Sequence, residues 1–157
     1  MLAAERKKMK KQAYRDYATE AFRFWAREGG AETYRQKIWN EAVANQQRQE
    51  GCTGISKPSE AAIIRAEEAL ENAEASMRDL IAVERTFDII RRMSMGEERE
   101  KVIKAVYMAY PNRDIQRGEI QDRVHRAEHD LHLAERTIYG MLADARSIFA
   151  KERGLRG

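Results

Sequence analysis

The sequence has few of the residues that define several large classes of protein. Cys52 is the only cysteine of the 157 residues, so a disulfide or a cysteine-based zinc site within one chain is excluded. Apolar runs fall far short of the ~18 residues that a membrane span needs. The basic start is not followed by an apolar stretch long enough for a signal peptide. We therefore expect a cytoplasmic protein that has no membrane partner.

Motifs of catalysis and cofactor binding are also missing. The chain has no glycine-rich phosphate loop, no nucleophile elbow and no cysteine–histidine pair in a plausible common setting. Adjacent acidic pairs such as Glu67 and Glu68 diverge by about 100° on a helix, so they do not converge on one substrate. We expect a protein that is not an enzyme and needs no cofactor.

Proline and glycine are scarce and stand between periodic segments. Pro58 and Pro111 fall where a proline is tolerated next to a helix, and Gly29 and Gly30 separate two apolar patterns. Almost nothing alternates with the period of a strand. The sequence predicts an all-α protein with an N-terminal helical hairpin (1–55), a long amphipathic helix (56–94) and a C-terminal helix-turn-helix (95–157). The predicted helices span about 3–27, 31–49, 58–93, 97–109, 117–130 and 134–153.

Charge is distributed unevenly. Residues 1–27 carry eight basic and three acidic side chains, whereas residues 56–100 carry seven basic and eleven acidic ones. Basic ends suit contact with a polyanion, although solvated helix faces give the same pattern. The basic cluster near the start has the composition of a phosphate-contacting arm and consists of Lys7, Lys8, Lys10 and Lys11.

Aromatic residues interleave with arginine and lysine in the first 40 residues. They are Tyr14, Tyr17, Phe22, Phe24, Trp25, Tyr34 and Trp39. A surface that binds single-stranded nucleic acid has this composition. We favour the alternative, the core of a two-helix hairpin in which basic stems cover the aromatic edges.

The long predicted helix contains a heptad seam. Its apolar positions alternate at steps of three and four until Glu84 interrupts them, and they are Ile63, Ala66, Leu70, Ala73, Met77 and Leu80. Such a seam needs a partner helix. The partner is either the N-terminal helix of the same chain, which we favour, or the same helix 58–93 of a second chain in a homodimer.

The last predicted helix is amphipathic. Its apolar stripe consists of Ile138, Leu142, Ala145 and Phe149, and the opposite side carries polar residues. A DNA-reading helix needs this division, but many terminal helices share it. Two short amphipathic helices precede it, which is the layout of a helix-turn-helix unit.

The segments EREKVIKAVYMAY, GEIQDRV and LAERTIYGMLADARSIFAKERGL resemble the C-terminal half of phage-type transcriptional regulators of the ArpU and RinA kind. Those regulators are in turn similar to region 4 of bacterial sigma factors. The resemblance covers roughly residues 84–155. It implies a regulator that binds promoter or operator duplex DNA and contacts RNA polymerase. The alternative is a helical adaptor or a small terminase-like component of phage DNA packaging.

Carried over by position, the resemblance puts Arg136 and Thr137 at the start of the DNA-reading helix. Tyr139 and Arg146 then lie along its exposed side. The remaining candidate DNA contacts are Glu135, His132, Arg123, Arg126 and Lys151. The chain departs from the family at Ala134, where a serine cap is common, and at Gly140, where a larger residue is usual. The interval from Ile120 to Ala134 is also long, so either the supporting helix or the turn is extended.

Three histidines recur at helical spacing, at His125, His129 and His132. Together with Glu128 they have a spacing that can hold zinc. However, the HExxH string is absent and the predicted face is a surface. We favour solvated or phosphate-facing histidines and expect no metal.

Overall fold

The protein is built from helices and the turns that join them. The computed structural model describes residues 2–51 and 57–155, without the side chains of residues 10–14, so Tyr14, Lys10, Lys11, Cys52 and the predicted boundary at 55–56 lie outside this description. The described residues form seven α-helices and one π-helix and no strand, which confirms the all-α prediction. The elements are α1 (Ala3–Glu28), α2 (Ala31–Gln49), α3 (Glu60–Asn72), α4 (Glu74–Arg91), α5 (Gly96–Ile103), the π-helix (Lys104–Met108), α6 (Glu119–Leu131) and α7 (Glu135–Arg153).

Local signals set the ends of the first three helices. Gly29 ends α1 in the left-handed region, with φ 77°, and its N–H donates to the carbonyl of Trp25 at 3.0 Å. At the start of α3 the hydroxyl of Ser59 accepts a hydrogen bond from the N–H of Ala62 at 3.1 Å. Both contacts are short-range, which explains why the predicted end at residue 27 and the predicted start at residue 58 lie within two residues of the observed Glu28 and Glu60.

The long predicted helix is interrupted at one residue. Ala73 has φ −92° and ψ 7°, and it separates α3 from α4. The N–H of Ala73 is shared between the carbonyls of Ala69 and Leu70, at 3.1 and 3.2 Å. Neither proline nor glycine causes the break. The two helices instead follow different neighbours, because α3 packs mainly on α2 whereas α4 packs on α1, α5 and α7.

Helix α2 is attached at both ends to the α3–α4 pair. At its end the Ser59 hydroxyl donates to a carboxylate oxygen of Glu50 at 2.9 Å. At its start the N–H of Ala31 donates to the carboxylate of Glu84 at 3.0 Å. Helix α2 therefore runs antiparallel to α3 and the first half of α4. We call α2 and α3 together the arm.

Glu84 interrupts the heptad seam, and its carboxylate accepts hydrogen bonds at that position. Besides the N–H of Ala31, its carboxylate accepts the indole N–H of Trp25 at 3.1 Å. A negative charge at the first turn of α2 also complements the helix dipole. One side chain therefore fixes the corner between α1 and α2 onto α4.

The remaining helices, α1 and α4–α7 with the π-helix, form what we call the body. Its core centres on Phe22, which stacks on Tyr107 with centroids 5.9 Å apart and also meets Phe149 at 5.8 Å. Phe87 of α4 meets the same ring at 6.2 Å. The aromatics of α1 therefore pack chiefly into the body. Contact with α2 is at the shared corner, where Phe24 and Tyr34 meet edge to face at 5.3 Å.

Candidate nucleic-acid interface

Helices α6 and α7 are joined by a turn of three residues, 132–134. His132 ends α6 in the left-handed region, with φ 54°, and it is exposed. A turn of three to four residues is typical of the helix-turn-helix motif. The long interval from Ile120 to Ala134 therefore reflects a longer supporting helix, since Ile120 lies in the first turn of the 13-residue α6.

Helix α7 has one buried side and one exposed side. The predicted stripe of Ile138, Leu142, Ala145 and Phe149 is buried, with exposed fractions of 0–1%. This confirms the apolar face that anchors the helix. The exposed residues include every predicted DNA contact on α7 except Arg146, and they are Glu135, Arg136, Thr137, Tyr139, Gly140, Ala143, Asp144, Ser147 and Lys151.

The first turn of α7 has no side-chain cap. Ala134 is the N-cap residue, with φ −68° and ψ 146°, and it has no polar side-chain atom to accept a hydrogen bond. The first backbone N–H groups of a helix have no partner within the helix. At the start of α7, near Arg136 and Thr137 in sequence, no N-cap side chain satisfies these groups.

Tyr139 is partly exposed, at 38%. Burial raises the pKa of its hydroxyl, and the charges of Glu135 and Glu128 add to the effect. The hydroxyl thus stays protonated and can donate a hydrogen bond. Gly140, the next residue, faces open space, because a Cβ built there would meet no described atom within 4 Å.

Arg123 is a buried residue and does not belong to the exposed surface. Only 8% of it is exposed, and its guanidinium donates to the carbonyl of Val106 at 2.8 Å. Its Nη2 lies 3.6 Å from the carboxylate of Glu119, within ion-pair range. Arg123 therefore holds α6 against the π-helix, and we leave it out of the DNA-contacting set. Arg126, also on α6, is exposed.

Arg146 is half-buried at the side of α7, where it donates to the hydroxyl of Tyr107 at 2.5 Å. It lines a groove of about 540 Å³ between α1, residues 113–115 and α7, together with Tyr139. Five arginines and three acids line this groove, so its formal charge is +2. The arginines are Arg15, Arg23, Arg27, Arg113 and Arg146, and we call this feature the arginine groove.

Arg23 is the deepest of these arginines, and sequence reasoning missed its role. It is 3% exposed and donates to four backbone carbonyls, those of Tyr107, Ala109, Tyr110 and Arg113, at 2.6–3.3 Å. These carbonyls belong to the end of the π-helix and the segment that follows it, where the partial charge of the helix is negative. Burial and then the charge of Arg123 lower the pKa of Arg23. The only sequence signal is a basic residue between Phe22 and Phe24.

The histidines do not converge. His132 lies in the turn after α6, and the structure instead brings together His125, Glu128 and Glu135, with potential ligand atoms within 4.8 Å of one another. His125 and Glu135 are exposed, and the nearest His125–Glu128 pair is 3.9 Å apart. A mainly exposed group of this kind is weak support for a metal ion.

Comparison with family models, with curated proteins and with solved structures finds no match to this chain. None of the helices in residues 2–51 and 57–155 combines the length and the apolar character required to cross a bilayer.

Proposed function

We propose that the protein binds double-stranded DNA through the exposed side of α7 and regulates transcription. The observation that carries this proposal is the pairing of α6, a three-residue turn and α7, whose buried stripe leaves Arg136, Thr137 and Tyr139 outward in its first two turns. A DNA-reading helix presents its N-terminal residues to the major groove in this manner. Contact with RNA polymerase, which the family resemblance implies, remains a prediction.

Chemistry at the start of α7 supports a duplex as the ligand. A guanidinium such as that of Arg136 can donate two hydrogen bonds to a guanine edge or bind a phosphate. The backbone N–H groups of a helix start without a side-chain cap also favour a phosphate oxygen. Beside α7, the arginine groove carries a formal charge of +2, and positive charge attracts a phosphate backbone.

Arg136→Ala should weaken binding to a cognate duplex about 10-fold or more, as expected for loss of one bidentate contact. Binding should be measured by fluorescence anisotropy with fragments selected from the source genome, at several salt concentrations. Wild-type affinity should fall steeply with salt because phosphate contacts release counterions.

Arg65→Ala is the matched control, since it removes the same charge from an exposed position on α3 in the arm. Its affinity should stay within about twofold of wild type. Equal losses in the two variants would mean that net charge alone matters, and would remove α7 from the interface. Absence of duplex binding at low salt would refute the proposal.

A further inference from the structure

The arm has one polar edge and one apolar edge. Its polar edge is a shallow cleft between the two helices, lined by Ala42, Asn45, Gln46, Gln49 and Arg65. The hydrogen bond between Glu50 and Ser59 marks the other edge. The helical repeat determines which residues of α2 and α3 lie along that second edge.

Residues separated by four and eleven positions lie within about 40° of one another on an α-helix. On α2 this rule puts Trp39 and Val43 on the side of Glu50. On α3 it puts Ile63 and Leu70 on the side of Ser59. Because Glu50 and Ser59 are in contact, both apolar pairs lie on the same edge, which we call the apolar edge.

The apolar edge is only half covered within the chain. Ile63 is 39% exposed, and Trp39, Val43 and Leu70 are half-buried. Elsewhere in the heptad seam, Ala66 and Leu80 are fully buried. On α2, a helix of 19 residues, Ala31 is the one residue that is buried. Two helices alone leave this edge without a third layer.

We propose that a second copy of the chain covers the apolar edge, so that two arms form a four-helix bundle around a two-fold axis. Each helix presents a side about 10 Å wide, and α2 (19 residues) and α3 (13 residues) span ~28 and ~20 Å, so an arm offers roughly 480 Å². Two copies would bury about 950 Å² in total, which is just below the ~1,000 Å² of a stable specific interface and within the range of weak ones. We therefore expect a dimer that dissociates on dilution.

The charges on α2 and α3 determine which helix of one copy packs beside which helix of the other. Outside its apolar pair, α3 carries an acidic stripe of Glu60, Glu67 and Glu71. The corresponding stripe of α2 carries amides, at Gln36, Asn40 and Gln47, and the Gln36 amide also donates to Glu32 within α2 at 3.2 Å. Pairing α3 with α3 would bring like charges together, whereas pairing α2 with α3 of the other copy sets amide donors beside carboxylates. The bundle should therefore alternate α2 and α3 between copies.

Sedimentation velocity over a range of concentrations, without DNA, tests this dimer independently of the proposed function. The wild-type chain should shift from monomer to dimer as its concentration rises, whereas Ile63→Lys should stay monomeric. Ala61→Lys is the matched control, because Ala61 is also exposed but lies about 160° from Ile63 around α3, away from both the apolar edge and the acidic stripe. It should dimerise like wild type.

Two more variants sharpen the result. Ile63→Ser introduces no charge and should weaken the dimer at least 10-fold, and circular dichroism checks that both Ile63 variants keep their helices. Asn40→Lys should tighten the dimer severalfold, because its ammonium group would meet the acidic stripe of the other copy. A wild-type monomer at every concentration, a larger ring, or equal effects of the Ile63→Lys and Ala61→Lys substitutions would overturn the proposal.

Discussion

At the scale of single residues, buried arginines organise the region beside the candidate interface. Arg23 from α1 and Arg123 from α6 both donate to carbonyl oxygens at the end of the π-helix, those of Tyr107 and Val106 among them. Carbonyls at a helix end have no partner within the helix and are costly to bury without one. The two guanidinium groups provide those partners, and they hold the wall of the arginine groove in place.

Arg23→Gln should destabilise the protein by roughly 3 kcal/mol, because several buried carbonyls lose a charged donor. Arg23→Lys should recover only part of the loss, since one ammonium group cannot reproduce the planar fork of a guanidinium. Urea denaturation followed by circular dichroism measures both.

The control for Arg23 is Arg27→Ala, one turn further along α1. Arg27 bonds mainly at the surface, to Glu20 at 2.8 Å, and its removal should cost less than about 1 kcal/mol. If Arg23→Lys were as stable as wild type, the fork geometry would be irrelevant and a point charge would suffice.

At the scale of elements, the sequence predicts those features, such as helix ends and apolar stripes, that depend on contacts between residues close in the chain. The ends at Gly29 and Ser59 depend on contacts within four residues, and the stripe of α7 depends on one helix period. The break at Ala73 and the depth of Arg23 depend on which helices become neighbours, and no local pattern carries that information. Glu84 was visible as an interruption of the seam, but its partners Trp25 and Ala31 lie more than 50 residues away.

Ion pairs also connect elements, and one of them predicts a pH dependence. Glu100 of α5 pairs with Arg91 of α4 at 2.9 Å and with Lys104 of the π-helix at 3.0 Å. Hydrogen bonds from these two groups lower the pKa of Glu100 from 4.5 to about 2. Its carboxylate thus stabilises the fold above pH 4.5, and this stabilisation is lost as the pH falls from about 4.5 towards 2.

Glu100→Gln should therefore cost about 1 kcal/mol at pH 6 and much less near pH 2.5, where wild type and variant converge. The magnitude is modest because Arg91 and Lys104 are more than half exposed, so solvent screens the pairs. Unfolding by urea at the two pH values measures the difference. A constant difference between the two proteins would contradict the assignment.

At the scale of the whole molecule, the candidate interface depends on helices from both ends of the chain. The buried cluster of the body includes Phe22 of α1, Phe87 of α4 and Leu142 and Phe149 of α7. Asp79 of α4 accepts a hydrogen bond from Tyr17 at 2.5 Å and pairs with Arg153 at 2.6 Å, so it joins α1 to the end of α7. One hydrophobic core thus contains residues from all three predicted regions, 1–55, 56–94 and 95–157.

The segment 95–157 should consequently fail to fold by itself, although it contains α6, the three-residue turn and α7. Without α1 and α4, the rings of Tyr107 and Phe149 lose Phe22, and the carbonyls at the end of the π-helix lose Arg23. Burying a side chain such as Phe22 is worth about 2 kcal/mol, and a chain of this size has little stability to spare. Circular dichroism of the isolated segment should show a large loss of helix per residue relative to the full chain.

The matched control removes the arm instead, joining residue 30 to residue 74 through a flexible linker. It should keep a cooperative thermal transition because the body core is intact. A fully helical, cooperatively melting 95–157 segment would show that α5–α7 fold autonomously and that α1 is not required for their stability.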